Sequence, residues 1–302
     1  MSDPLSEVVR LLRPRAVFAN VISGKGHWAV RYSEFGQPSF CIMLEGHCQL
    51  AVDGHASVAL AAGDFVLLPT TPAFTISSPV PAPPVHLDPF AVAGGKAEVR
   101  YGEQSGPADM RSLGGSFAFD RADTGLLVSL LPRVVHVQGS QRLSQLVRMV
   151  GEETCEEQPG GEFMRSRLVE MLLVEAMRST TTGSAPPGLL RGLGDDRLAI
   201  ALKRMHAQLD RAWTVDQLAK AAALSRSSFF ERFSRTVGVA PMAYLLGWRM
   251  EIAKDLLRNG EMSVAEVAER VGYGSTSTFS VAFSRHVGVA PSRYGRGAPA
   301  AE

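Results

Sequence analysis

Phe229-x-x-x-Phe233-Ser-Arg-Thr-Val-Gly-Val-Ala-Pro241-x-x-Tyr244 returns fifty residues later as Phe279-x-x-x-Phe283-Ser-Arg-His-Val-Gly-Val-Ala-Pro291-x-x-Tyr294. The phenylalanines of each pair stand four apart, about one helical turn, so each pair marks the buried face of a helix. Gly238 and Gly288 read as helix stops, and Pro241 and Pro291 as helix starts, where a missing N–H costs little. Upstream, Thr214-Val-Asp-Gln217 and Ser263-Val-Ala-Glu266 are both capping boxes, a hydroxyl followed three residues later by Gln or Glu. Each opens a short helix carrying Leu218-Ala219 or Val267-Ala268. The turns between, Ala222-Ala-Leu-Ser225 and Gly272-Tyr-Gly-Ser275, use small residues that let two helices cross closely. Each repeat therefore reads helix, tight turn, helix, which is a helix-turn-helix. A long helix from about Pro241 to Arg258 joins the two units.

Outward from this repeat the pattern changes. Ser179-Thr-Thr-Thr-Gly-Ser-Ala-Pro-Pro-Gly188 has no hydrophobic periodicity and reads as a linker. Before it, helical spacing predicts one helix over about 141–157 (Leu143, Leu146, Val147, Val150) and another over about 161–178 (Phe163, Leu168, Met171, Leu172, Glu175). Residues 16–140 read as short strands broken by Gly and Pro turns, which predicts a small β-barrel or sandwich. Phe40–Leu44 and Cys48–Val52 flank Glu45-Gly46-His47 and predict a hairpin, with Met43 opposite Cys48 and Cys41 opposite Leu50. The expected fold class is α+β: a β-barrel over 1–140, a helical pair over 141–178, a linker over 179–194, and an all-α double helix-turn-helix domain over 195–296.

Composition fits this division. The 302 residues are 45% hydrophobic and 20% charged, enough for a sizeable core, with a formal net charge of +1. From Leu190 onward, 16 Lys and Arg stand against 11 Asp and Glu, while residues 1–189 hold 15 against 19. The basic end is the one suited to phosphates. Three cysteines without Cys-x-x-Cys spacing exclude a disulfide framework and argue against a structural zinc site. No Ser-His-Asp set, phosphate loop or metal-binding helix is written in the chain, so neither a catalytic residue nor a cofactor is expected. Residues 1–15 lack a signal-peptide pattern and no run is long enough to span a bilayer, which places the expected location in the cytoplasm.

The segment from about 197 to 296 resembles the DNA-binding domain of the AraC/XylS family of transcription regulators. Ser225-Arg-Ser-Ser-Phe-x-x-x-Phe233, Gly238-x-x-Pro241, Arg249-x-x-x-Ala253-x-x-Leu-Leu257, Gly272-Tyr273, Phe279-x-x-x-Phe283 and Gly288-x-x-Pro291-x-x-Tyr294 carry the resemblance. Gly295 departs from it, where the family commonly has Arg. Recognition helices present their first turns to base edges in the major groove. With Phe229 and Phe279 buried, the outward residues are Arg226, Ser227, Phe230 and Glu231 in the first unit and Thr276, Ser277, Ser280 and Val281 in the second. Arg pairs with guanine, Glu accepts from the cytosine amino group, and Phe or Val meets a thymine methyl. Arg235, Arg249 and Arg285 are candidates for phosphate contact. With a rigid linking helix, the two units enter successive major-groove faces roughly 34 Å apart.

Residues 18 to about 137 resemble the cupin-type sensor domain at the front of some regulators of that family. Gly26-His-Trp28, Phe40-x-x-x-Leu44-Glu-Gly46, Leu60-x-x-Gly63-Asp-x-Val-Leu-Leu-Pro69, Gly114, Phe117 and Leu130-Leu-Pro132 carry this second resemblance. Two positions where catalytic cupins hold metal-binding histidines are Cys41 and Phe74 here, which argues against the alternative of a metal-dependent enzyme fused to a DNA-binding domain. Two sensing chemistries are expected: a small organic ligand lined by Trp28, Phe40, Met43 and Phe65, or an oxidant read by Cys41 and Cys48. Against the second stands the reading of both cysteines as small buried hydrophobes. The resemblance implies promoter DNA, RNA polymerase, a small-molecule effector and a second copy of the chain as partners. The stripe Leu168, Met171, Leu172 and Glu175 is a candidate either for the pairing of two copies or for packing on the chain's own barrel. Activation is the expected sign of regulation.

Overall fold

Alternating apolar residues on short strands bury one face of a sheet, and the chain builds two such faces against each other. The computed structural model describes residues 3–89, 98–119, 132–138, 140–155, 159–179 and 187–296. Leu130, Leu131 and residues 180–186 of the predicted linker lie outside them. Among the described residues the strands form two sheets. One has the order β11 (Val135–Val137), β6 (Phe65–Leu68), β3 (Ser39–Glu45), β10 (Met110–Phe119), β1 (Pro14–Lys25) and β9 (Glu98–Gly102). The other runs β5 (Val58–Ala61), β4 (His47–Val52), β7 (Phe74–Ser77), β2 (Ala29–Tyr32) and β8 (Val85–Leu87). Met43, Val66, Leu68 and Met110 of the first sheet share one core with Val30, Tyr32, Cys48, Leu50, Leu60 and Ile76 of the second. The expected cupin-like barrel is thus drawn as two facing sheets.

The predicted 40–52 hairpin does not form. β3 pairs with β6 and β10, whereas β4 pairs with β5 and β7 in the other sheet. Cys41 stands opposite Gly114 and Val66, and Cys48 opposite Leu60. The cause is Gly46, at φ +70°, where a Cβ would come within 2.0 Å of the Asp109 carbonyl oxygen. Only glycine lets the chain pass so close to the loop before β10 and turn the corner between sheets.

Helices α2 (Gln141–Cys155) and α3 (Gly161–Ser179) pack on each other and on the first sheet. Leu168, Val169, Leu172, Leu173, Ala176 and Met177 are the buried face of α3. Leu168 and Leu172, which the sequence places in a pairing stripe, are thereby committed to the domain's own core, and Glu175 is ion-paired to Arg142 and Arg178. Met171 stays 49% exposed, and Phe163, two turns before it on α3, is 63% exposed.

The chain divides into two compact units, residues 13–124 with 131–182 and residues 1–12 with 183–302. The second unit contains α4 (Leu189–Leu193), α5 (Asp196–Ala207), α6 (Val215–Ala221), α7 (Arg226–Val237), α8 (Pro241–Asn259), α9 (Val264–Arg270), α10 (Thr276–Val287) and α11 (Pro291–Gly295). The last stretch of the predicted linker is therefore helical, as α4. The unit also contains α1 (Pro4–Leu12), which packs on α5. Both capping boxes form: Thr214 Oγ1 accepts from Gln217 N and Ser263 Oγ from Glu266 N, with the reciprocal bonds in place. Gly238 and Gly288 end α7 and α10 in left-handed conformations, at φ +86° and +85°. No helix of the described residues is long and apolar enough to cross a membrane.

Candidate nucleic-acid interface and effector cavity

The two helix-turn-helix units place equivalent residues in equivalent positions. Phe229 and Phe233 of α7, and Phe279 and Phe283 of α10, are fully buried. Each pair continues into a tyrosine edge, Phe233 to Tyr244 at 5.8 Å and Phe283 to Tyr294 at 5.4 Å between ring centroids. These aromatic stacks fix the rotation of α7 and α10, and that rotation decides which side chains face outward. Arg226, Ser227 and Glu231 of α7 and Thr276 and Ser277 of α10 are exposed, while Ser280 is half-buried. Phe230 is 45% exposed and Val281 is 70% exposed. Ser225 and Ser275 cap the two helices, accepting from Ser228 N and Thr278 N, which pins the first turns that carry these positions. Arg226 Nη1 lies 3.4 Å from Asp216 of α6 in an exposed pair that leaves the guanidinium free to exchange partners.

The three candidate phosphate arginines divide. Arg235 and Arg285 are exposed in the same place on α7 and α10. Arg249 instead turns inward from α8 and donates to the carbonyls of Leu209 at 3.0 and 2.8 Å and of Arg211 at 2.8 Å. Burial lowers its pKa, with Tyr273 and Asp210 opposing. Its fork closes the loop between α5 and α6, so the sequence reading of Arg249 as a phosphate contact is corrected to a structural role.

Two further supports of this unit join residues far apart in the sequence. Asp195 caps α5, accepting from Arg197 N and Leu198 N, and also accepts from Arg232 Nε of α7 at 2.7 Å. His206 is buried between Glu7 and Tyr244, each 2.8 Å from one ring nitrogen. The neutral tautomer that fits donates from Nδ1 to the Glu7 carboxylate and accepts at Nε2 from the Tyr244 hydroxyl. Burial lowers the His206 pKa against the raising effect of Glu7 and Asp3.

In the sheet unit, a cavity of about 130 Å3 lies between the two sheets. Phe40 and Cys41 line it, as expected, together with Tyr32, Phe74, Ile76 and Thr71. Trp28, Met43 and Phe65 are not among its lining residues. Trp28 stacks on Tyr101 at 5.8 Å, and Met43 and Phe65 are fully buried by close packing. Cys48 is buried too, its Sγ donating to Met43 Sδ at 3.6 Å. Burial pushes the Cys41 thiol up to about 11, with Ser112 partly opposing, and raises Cys48 further still. Alternation identifies the strands, but a cavity forms only where facing side chains fail to meet, and one strand pattern does not record that.

Comparison with known proteins agrees with both halves. Residues 3–182 match the family model described as Cupin, and residues 218–297 match that of a helix-turn-helix domain. The AraC-like transcription regulator of Streptomyces lividans is 35% identical over 286 residues, covering 92% of this chain and 93% of that protein. That of Streptomyces antibioticus is 34% identical over the same shares. Among solved structures, the DNA-binding domain of AdpA in complex with a target DNA is 33% identical and covers 34% of this chain and 92% of that one, at a TM-score of 0.33. With two capped recognition helices in its last third, a two-sheet domain before them and these relatives along nearly its whole length, the chain belongs to the AraC-like family of DNA-binding transcription regulators, with a cupin sensor domain.

Proposed function

We propose that α7 and α10 read two different half-sites of one asymmetric operator, and that the cupin domain controls this reading in response to a small organic molecule. The observation that carries the first part is the contrast between the repeats. Their buried positions are identical, Phe229 with Phe279 and Phe233 with Phe283, yet outward pairs differ: Arg226 against Thr276, Phe230 against Ser280, Glu231 against Val281. Identical scaffolds with unlike outward residues suit unlike base sequences. Ser227 and Ser277 add permissive contacts, and Arg235 and Arg285 bind phosphates. The sensing part favours a small molecule over an oxidant, because protonated thiols are poor nucleophiles and both Cys41 and Cys48 are held protonated. The chain acts in the cytoplasm as a homodimeric activator that recruits RNA polymerase and has no catalytic role.

Selection of genomic DNA fragments by the purified protein tests the reading. Wild type enriches one long, non-palindromic motif. Glu231→Ala relaxes one part of it and Val281→Ala another, each by about 1–3 kcal/mol of discrimination at the affected bases. Identical motifs from all three proteins would show that these residues do not read bases.

A further inference from the structure

The cavity between the sheets has a lining that selects its ligand. We propose that it binds a neutral, single-ring aromatic molecule carrying one hydroxyl group, a phenol in chemical class. This rests on the reading of the cupin domain as a sensor and names what it senses.

Size comes first. The space is about 130 Å3. An apolar cavity of roughly 150 Å3 admits benzene, so this space is on the scale of a single ring. Shape comes second. Tyr32 and Phe74 stack on each other at 4.9 Å and 21° between ring planes, and both line the cavity. A flat ring continues such a stack. Gly114 lines the same space, and a Cβ there would sit 3.2 Å from Ile22 Cδ1, so the absence of a side chain helps to leave it open.

Charge comes third. Among the described residues, no Asp, Glu, Lys, Arg or His lines the cavity. An anion or cation would lose its hydration and gain no counter-ion, at a cost that a single ring does not repay. The two positions where the cupin resemblance places metal-binding histidines, Cys41 and Phe74, both face this space. Where the related fold would hold a charged metal, this chain presents a thiol and a ring.

One polar corner remains. Thr71 Oγ1 lies 2.7 Å from Ser39 Oγ and 3.1 Å from the Leu68 carbonyl oxygen, and it also contacts the Gln37 carbonyl. Thr71 Oγ1 donates to Ser39 Oγ, so the Ser39 proton is left for an incoming acceptor. A ligand hydroxyl oxygen is such an acceptor. Thr71 holds this corner at φ +36°, a conformation that a β-branched side chain adopts only under constraint and that clusters at ligand clamps.

The test uses the purified full-length protein and isothermal titration calorimetry, with the melting temperature alongside. Phenol, toluene and benzoate are the probes. Phenol binds one site per chain and raises the melting temperature. Toluene binds at least tenfold more weakly, and benzoate does not bind. Gly114→Val fills the space and abolishes binding, and Ser39→Ala reduces phenol to the level of toluene. If Gly114→Val does not fold, Ser39→Ala alone decides. Absence of binding by both neutral rings, or equal binding by benzoate, overturns the proposal. Motif selection without ligand keeps the two readings apart. If phenol binds but leaves operator binding unchanged, the sensing function falls while the ligand assignment stands. If no ring binds while the motif is still enriched, the ligand assignment falls while the reading of DNA by α7 and α10 stands.

Discussion

At the scale of single residues, the recognition unit depends on polar groups that never approach DNA. Tyr244 donates to His206 Nε2 and His206 donates to Glu7, three residues from helices far apart in sequence joined in one buried chain. Tyr244→Phe keeps the ring packing and leaves Nε2 unsatisfied, so it lowers stability by about 1–3 kcal/mol in denaturant unfolding. The imidazole pKa is lowered from its ordinary 6.5, so the unfolded chain takes up this proton first as the solution is acidified. Its contribution is therefore complete above about pH 6.5 and declines as pH falls below that value, which unfolding at a series of pH values will show. Arginines divide by the same logic. Arg235→Ala, at an exposed position, reduces the slope of log K against log salt by about one. Arg249→Ala leaves that slope unchanged and instead lowers the melting temperature, because it removes three hydrogen bonds to the Leu209 and Arg211 carbonyls. Equal effects of both variants on the slope would return Arg249 to the interface.

At the scale of elements, the helical repeat is legible in the sequence and the sheet connections are not. Caps, glycine stops and proline starts act within a few residues, so Thr214, Ser263, Gly238 and Gly288 carry their meaning locally. The 40–52 hairpin fails because the turn signal at Gly46 is the same whether the chain folds back in one sheet or crosses to another. The deciding contact, the Asp109 carbonyl, lies far along the chain. The faces of α3 are ambiguous for a related reason: apolar residues lie on both sides, and only the sheet beneath decides that Leu168 and Leu172 go in while Met171 stays out. Aligning the two turns exposes one inequality between the repeats. Ala223 sits at φ +53° in the first, where the second has Gly272 at φ +80°. A left-handed residue with a Cβ costs roughly 1–2 kcal/mol, and glycine gives back part of that gain through unfolded-chain entropy. Ala223→Gly therefore stabilises the first helix-turn-helix by up to about 1 kcal/mol, measured as slower amide exchange in α6 and α7. Faster exchange there would mean that packing around the methyl outweighs the backbone strain.

At the scale of the whole molecule, one apolar surface faces away from the core. Phe163 and Met171 of α3, 63% and 49% exposed, stand eight residues apart on one helical face, with Arg167 over the Phe163 ring at 5.2 Å between them. An isolated exposed methionine needs no explanation, but a stripe of this kind on a helix marks an interaction surface. In the homodimer proposed above, a two-fold axis brings α3 against α3 and counts each residue twice. Fully burying a methionine side chain is worth about 1.5–3 kcal/mol and Met171 is already half covered, so losing the rest from both copies costs roughly 1.5–3 kcal/mol of association, to which the two buried carboxylates add. Because Met171 is exposed in the single chain, Met171→Glu leaves folding intact while placing two carboxylates across the axis. Sedimentation equilibrium then shows the dissociation constant rising by at least a hundredfold, the melting temperature of the dilute monomer unchanged, and the affinity for a doubled operator falling to that for a single one. A dimer of undiminished strength would move the pairing surface off α3.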